Sequence, residues 1–185
     1  MTAILLTPGF HGPYSGIALA NDDARCSLLG VADRDYMPGE LFDVLWRQHQ
    51  PSPVGWAEFA IGTGDIALGN PTISLAGFVD VTQEVGAYVG SSTASLPLVH
   101  PLPAGSPLYL VTAAWVPPGW SAAYVVGSMP ADPIGSGVLG AMRVPGYKPS
   151  GWLGIPIAFD AQPPILRSMA AMVRAPAIVP PPEEP

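Results

Sequence analysis

The chain has 185 residues and a formal net charge of −7, and only 11% of its residues are charged, against about a quarter in ordinary soluble domains. Its seven Lys and Arg are scattered singly, so there is no basic stripe to neutralise phosphates, and nucleic acid is not an expected partner. Pro and Gly break every apolar run before it reaches the roughly 20 residues of a membrane-spanning helix, so insertion into a membrane is not expected either. With 49% hydrophobic residues and a mean hydropathy of +0.34, a compact monomer has too few polar groups to cover itself. Surface spent on partner chains is the economical expectation. The single cysteine, Cys26, can form no internal disulfide and reads as a small buried hydrophobe. The start, MTAILLTPGF, lacks a positively charged n-region, which predicts a chain made and kept in a cytoplasm or released without secretion.

In chain order, Ala3 to Leu6 is a short strand candidate, and a Gly/Pro loop follows as far as Gly16. Ile17 to Ala20 and Ser27 to Ala32 are short apolar runs on either side of the turn Asn21-Asp22-Asp23. In Gly39 to Gln50, Leu41 with Leu45 and Phe42 with Trp46 repeat at helical spacing, which predicts a short amphipathic helix ended before Pro51. From Trp56 onward short apolar runs predict strands over 56–61, 65–68, 72–81, 85–89 and 96–99. Turn signals such as Gly62-Thr63-Gly64 arrive every eight to twelve residues or so, as in β-sandwiches. Ile73, Leu75 and Val79 cannot share one face across Gly77, and a bulge there is expected.

The longest apolar stretch runs from Pro103 to Gly127. At period two, Leu108, Leu110, Thr112 and Ala114 face one way and Tyr109, Val111, Ala113 and Trp115 the other. A strand apolar on both faces belongs in the middle of a sandwich, or in a sheet whose outer face another subunit covers. Ala122 to Val126 reads as its returning strand. Met129 to Gly154, dominated by Pro and Gly, reads as a long irregular connection of the kind that packs on a partner. Ile155 to Phe159 is one more strand, and Ile165 to Arg174 fits a helix or a closing strand, with the helix preferred. Residues 176–185, PAIVPPPEEP, have the composition of a polyproline II arm, separate from a single domain over 1–175. Having no internal hydrogen bonds, such an arm is ordered only by packing residues such as Ile178 and Val179 on another chain.

Motifs that carry chemistry are few. Gly135 to Gly140 spells GxGxxG, but no strand precedes it and Pro145 and Pro149 follow, so a loop rather than a dinucleotide turn is expected. Asp22, Asp23, Asp33 and Asp35 match no calcium loop, and His11, His49 and His100 lack zinc-site spacing. No GxSxG elbow is present. Glu58 with Asp65, or Glu40 with Asp43, are the carboxylate pairs available to a glycosidase. Trp120 and Trp152, set among Gly and Pro, are candidate stacking platforms for a sugar or candidate interface anchors. No catalytic, cofactor or metal residues are assigned on these grounds.

Leu102 to Trp115, LPAGSPLYLVTAAW, resembles a run in jelly-roll domains of bacteriophage tail, fibre and capsid-associated proteins, in which an Ala-Gly turn introduces a long central strand. The resemblance implies an all-β fold, a β-sandwich of jelly-roll type with one or two short helices and long Pro/Gly-rich loops. It also implies a non-enzymatic structural virion protein, assembled in a host cytoplasm as a capsid-decoration, head-fibre or tail component. Its partners would be itself, as a homotrimer, and other virion proteins, with a host surface glycan as a further ligand. The expected interface residues are Trp120, Trp152, Ile178 and Val179. The alternative is a carbohydrate-binding module or small glycan-active enzyme that uses an exposed Trp.

Overall fold

The structure is a computed structural model. It describes residues 11–19, 23–48, 54–65, 71–87, 90–115, 117, 122–128, 138–143, 148–161, 168–169 and 171–176. The strands in chain order are β1 (His11–Leu19), β2 (Asp23–Val31), β3 (Leu41–Gln48), β4 (Trp56–Gly64), β5 (Thr72–Asp80), β6 (Gly90–Pro97), β7 (Pro107–Trp115) and β8 (Ala122–Ser128). They continue with β9 (Val138–Arg143), β10 (Pro156–Ala158), β11 (Asp160–Ala161), β12 (Ser168–Met169) and β13 (Ala171–Arg174). One short helix, α1 (Thr82–Ala87), and one 3-10 turn (Pro149–Trp152) complete the described elements. The fold is all-β, and its strand pairs are antiparallel.

Two sheets form. One follows β1-β8-β3-β13, with β6 also on β3 and β12 on β8, and the other runs β10-β5-β4-β7-β2-β9-β11. The doubly apolar strand, β7, is the fourth of the seven. Leu108, Leu110 and Ala114 join Phe42, Val44 and Trp46 of β3, Leu96 of β6 and Val173 of β13 in a core shared by both sheets. The Trp46 and Phe59 rings meet across it at 5.2 Å. Tyr109, Val111 and Ala113 face the other way, into a second core with Ala24, Cys26, Ala60, Ile73 and Leu75, where Leu153, Ile157 and Phe159 pack. Both faces of the central strand are therefore buried within a single chain. At about 1.5–3 kcal/mol for each fully buried large apolar side chain, this double burial is a main source of cohesion.

Several segments differ from their sequence expectations. Residues 41–48 form strand β3 rather than a helix, because the spacing of four that links Phe42 to Trp46 is also a multiple of two. Phe42, Val44 and Trp46 are buried, while Leu41 is exposed. The 165–174 segment forms β12 and β13 in its described parts, so the closing-strand alternative holds there. Strand β8 is not the hairpin partner of β7; it crosses to the other sheet and pairs with β1. Helix α1 (Thr82–Ala87) takes residues 85–87 of the strand expected at 85–89, and the Gly/Pro-rich stretches contribute β1 and β9. Gly62 and Gly64 lie inside β4, where a Cβ would come within 2.4 Å of Ser74 O and 2.1 Å of Thr72 O respectively, so close strand approach rather than a turn explains them. The expected strand at 3–6 lies outside the described residues, as does the expected strand at 65–68 beyond Asp65.

The bulge at Gly77 is present. Ile61 pairs with Gly77 and Gly62 with Leu75, which leaves Ala76 as the extra residue of β5. Ile73 and Leu75 consequently pack in the second core, and Val79 packs against the first.

Candidate functional site

The bulge creates an acceptor at which a loop attaches. The Ala76 carbonyl receives the amides of Val99 (2.7 Å) and His100 (2.9 Å), which draws residues 97–100 off the end of β6 and onto β5. Gly77 permits the approach, since a Cβ there would lie 2.3 Å from Pro97 O. On one side of this loop, Gly39 N donates to Leu98 O and Leu98 N to Glu40 O, joining the turn at 37–40. On the other side Gly154 N donates to Leu75 O, and the His100 ring lies against Gly154. Three turns, 37–39, 97–103 and 151–156, thus form one corner of the molecule.

None of these residues is Asp, Glu, Lys or Arg, although Glu40 closes the first turn and the exposed Asp35 lies two residues before it. The corner nevertheless presents large apolar side chains: Met37 is 57% exposed, Val99 and Ile155 47% each, and Trp152 38%. Leu41 beside it is exposed too.

Two charged clusters behind the surface hold it in place. Arg34 donates to both oxygens of Glu40, at 2.6 and 3.2 Å, and to the carbonyls of Asp35 and Pro176. Glu40 also accepts the Met37 amide at 2.6 Å. The bond from Arg34 holds the Glu40 carboxyl below its usual range. The guanidinium lies 4.2 Å above the Tyr36 ring, which packs on Phe42. Burial raises the Tyr36 phenol, and its hydrogen bond to Asp33 adds to this.

The second cluster surrounds Glu58, whose side chain is fully buried on β4. Its oxygens accept the amide of Ser150 at 2.8 Å, the hydroxyl of Ser150 at 2.9 Å, and the ammonium of Lys148 at 3.3 Å. Lys148 also reaches Asp80, the cross-strand neighbour of Glu58, at 3.6 Å. Burial works to raise the Asp80 carboxyl, but hydrogen bonds from Thr82 and the charge of Lys148 outweigh it and hold that carboxyl low. All three donors to Glu58 come from residues 148–150, so one buried carboxylate fastens the Trp152 turn to the sheet.

The chemistry open to these groups is limited. Both Glu58 oxygens are engaged, and Asp65 is seven residues further along an extended strand, about 23 Å away at 3.3 Å per residue. A glycosidase pair needs roughly 5–9.5 Å, so the Glu58 and Asp65 pair does not form. Glu40 is bound to Arg34, and Asp43 accepts from Ser95 at 3.2 Å, so the second pair is engaged structurally as well. Asp33 and Asp35 bond Tyr36 and the Ala104 amide, and among the described residues no group of three His, Cys, Asp or Glu could hold a metal. Val138 to Gly140 of the GxGxxG run lie in strand β9, where a dinucleotide turn needs a helix. No described helix is long and apolar enough to cross a membrane.

Of the expected interface residues, Trp152 falls on the corner, while Trp120, Ile178 and Val179 lie outside the described residues. Sequence reasoning missed the role of Glu58. The available signal was a lone acid inside the apolar run WAEFAI, which a strand buried on both faces can hold only with a partner. No family model matches the chain, and no curated protein or solved structure matches it.

Proposed function

We propose that this chain is a non-enzymatic structural component of a larger assembly, acting through protein–protein contacts in which the uncharged corner takes part. The observation that supports this most is the rigid display of Met37, Val99, Trp152 and Ile155 on turns locked from behind by Arg34–Glu40 and by Glu58. Binding energy concentrates on large side chains that are ordered before contact, since little rotamer entropy is then lost on association. The low charge of the chain fits the same role. The resemblance of Leu102 to Trp115 supports placing the assembly in a bacteriophage virion, as a capsid-decoration, head-fibre or tail module. It also supports a jelly-roll arrangement of the two sheets.

Light scattering coupled to size-exclusion chromatography, on the full chain and on a form lacking 176–185, tests this reading. The full chain is expected to be oligomeric at micromolar concentration, and the shortened form to assemble less well with an unchanged far-UV circular dichroism spectrum. A full chain that stays monomeric, and a glycan array on which it binds through Trp152, would replace the assembly reading with the carbohydrate-binding one.

A further inference from the structure

We propose that Lys148 and Glu58 condense within the folded chain into an amide between their side chains, with Asp80 moving a proton and Ser150 holding the carboxyl oxygens. The inference is independent of the assembly reading, and the reaction runs once per chain with no external substrate. Three features of the cluster carry it. Lys148 Nζ stands 3.3 Å from Oε1 of Glu58 and 3.6 Å from Oδ2 of Asp80, so one amine reaches two carboxylates. Those carboxylates belong to cross-strand neighbours of β4 and β5 in unlike surroundings, since the Glu58 side chain is fully buried and that of Asp80 is 48% exposed. The two oxygens of Glu58 are also inequivalent: Oε2 accepts the fixed amide of Ser150 at 2.8 Å, while Oε1 faces the amine and accepts the Ser150 hydroxyl at 2.9 Å.

Burial disfavours the charged pair, and a proton passed from Nζ to Oε1 neutralises both of its members. The neutral amine then attacks Cδ of Glu58. Negative charge develops on Oε2, where the Ser150 amide already points. Asp80 stays ionised despite its partial burial, because Thr82 and Lys148 hold it low, so it can take the second proton from the nitrogen and return it to Oε1. The Cδ–Oε1 bond breaks as the Nζ–Cδ bond is completed, and Oε1 leaves as water. An ammonium and a carboxylate thus give an amide and water, with no oxidant, reductant or activating co-reactant. Lys148 enters from the rim of the cluster with its side chain 41% exposed, which gives the water a way out. Free amines and carboxylates in water do not condense appreciably, but groups fixed in contact by a fold reach effective molarities of about 10⁵–10⁸ M. The product also holds no buried charge.

The test is intact-mass spectrometry of the purified full chain, with peptide mapping of the product and circular dichroism to verify folding. The wild type is expected to weigh about 18 Da less than its amino-acid sequence requires, the mass of one water. Mapping is expected to recover the parts of the chain around Glu58 and Lys148 as one branched peptide. Lys148→Arg keeps the charge but has no attacking amine, and is expected to show the full mass. Asp80→Asn keeps an oxygen for the Thr82 amide but cannot take the proton, and is expected to cross-link about tenfold or more slowly after refolding. A folded wild type that retains its full mass overturns the proposal, and so does a loss of water that persists in Lys148→Arg. If that variant does not fold, the wild-type map decides alone, and the absence of the branched peptide overturns the cross-link. An Asp80→Asn variant that reacts as fast as the wild type overturns the role of Asp80.

Discussion

Glu58 receives both hydrogen-bond donors of Ser150, the amide at 2.8 Å and the hydroxyl at 2.9 Å, from a position with no solvent contact. Breaking a buried charge pair costs about 3–5 kcal/mol when the partner is also buried, but Lys148 is 41% exposed and can turn to water. Glu58→Ala is therefore expected to destabilise by about 3 kcal/mol, and Glu58→Gln, which retains an acceptor, by about 1–2 kcal/mol. Urea denaturation gives these values. Hydrogen exchange should place the loss of protection in 148–155 first.

Gly77 offers a sharper test of the corner, because the obstacle to a side chain there is backbone. Gly77→Ala forces Pro97 O and Leu98 away from β5 and is expected to cost about 1–3 kcal/mol. Gly151→Ala, where a Cβ meets nothing within 4 Å, is expected to stay within about 0.5 kcal/mol of wild type. Thermal unfolding of the pair checks the contrast.

Trp46 is 2% exposed, and its indole N–H has no acceptor among the described residues. A buried donor left without a partner costs about 1–3 kcal/mol. Trp46→Phe removes that penalty along with part of the ring, so it should lie within about 1.5 kcal/mol of wild type, whereas Trp46→Ala should cost about 3–5 kcal/mol. Denaturant midpoints of the two variants distinguish the terms.

The pH profile of stability should fall away at both ends. Glu40, held low by Arg34, contributes stability that is present above the ordinary carboxylate value of 4.5 and lost as pH falls below it. Arg34→Leu should shrink that acid loss. Tyr109, pushed up to about 12 by burial, contributes stability that is present below the ordinary phenol value of 10.0 and lost as pH rises towards 12. Tyr109→Phe should remove the alkaline loss, at the cost of the 2.7 Å hydrogen bond to Asp65 O. Chemical denaturation at stepped pH reads both.

What could be read in the sequence was what local pattern decides. The central place of β7 followed from apolar residues on both of its faces, and the bulge followed from a glycine interrupting an alternation. The β3 strand was misread because a spacing of four fits both periods; the residue that separates them is Val44, which continues Phe42 and Trp46 at period two and is completely buried. Helix α1 carried its own signal in Asp80, which accepts the Thr82 amide at 2.9 Å, and in Glu84 of the first turn. Strands β1 and β9 run against local propensity, and only sheet pairing explains them. The corner was illegible for a different reason. Residues 37–39, 97–103 and 151–156 are distant in sequence, and the hydrogen bonds that unite them run to backbone carbonyls, which carry no residue signature.

Oxidative footprinting across protein concentration tests the central claim most directly, because Met37 and Trp152 lie on the corner while the similarly exposed Trp115 ends β7, about 27 Å along the strand from Pro107. If the corner is the contact surface, Met37 and Trp152 lose reactivity together as the concentration rises from low micromolar towards millimolar, and Trp115 does not change. Constant reactivity of Met37 and Trp152 over that range, or protection of Trp115 alone, would contradict it.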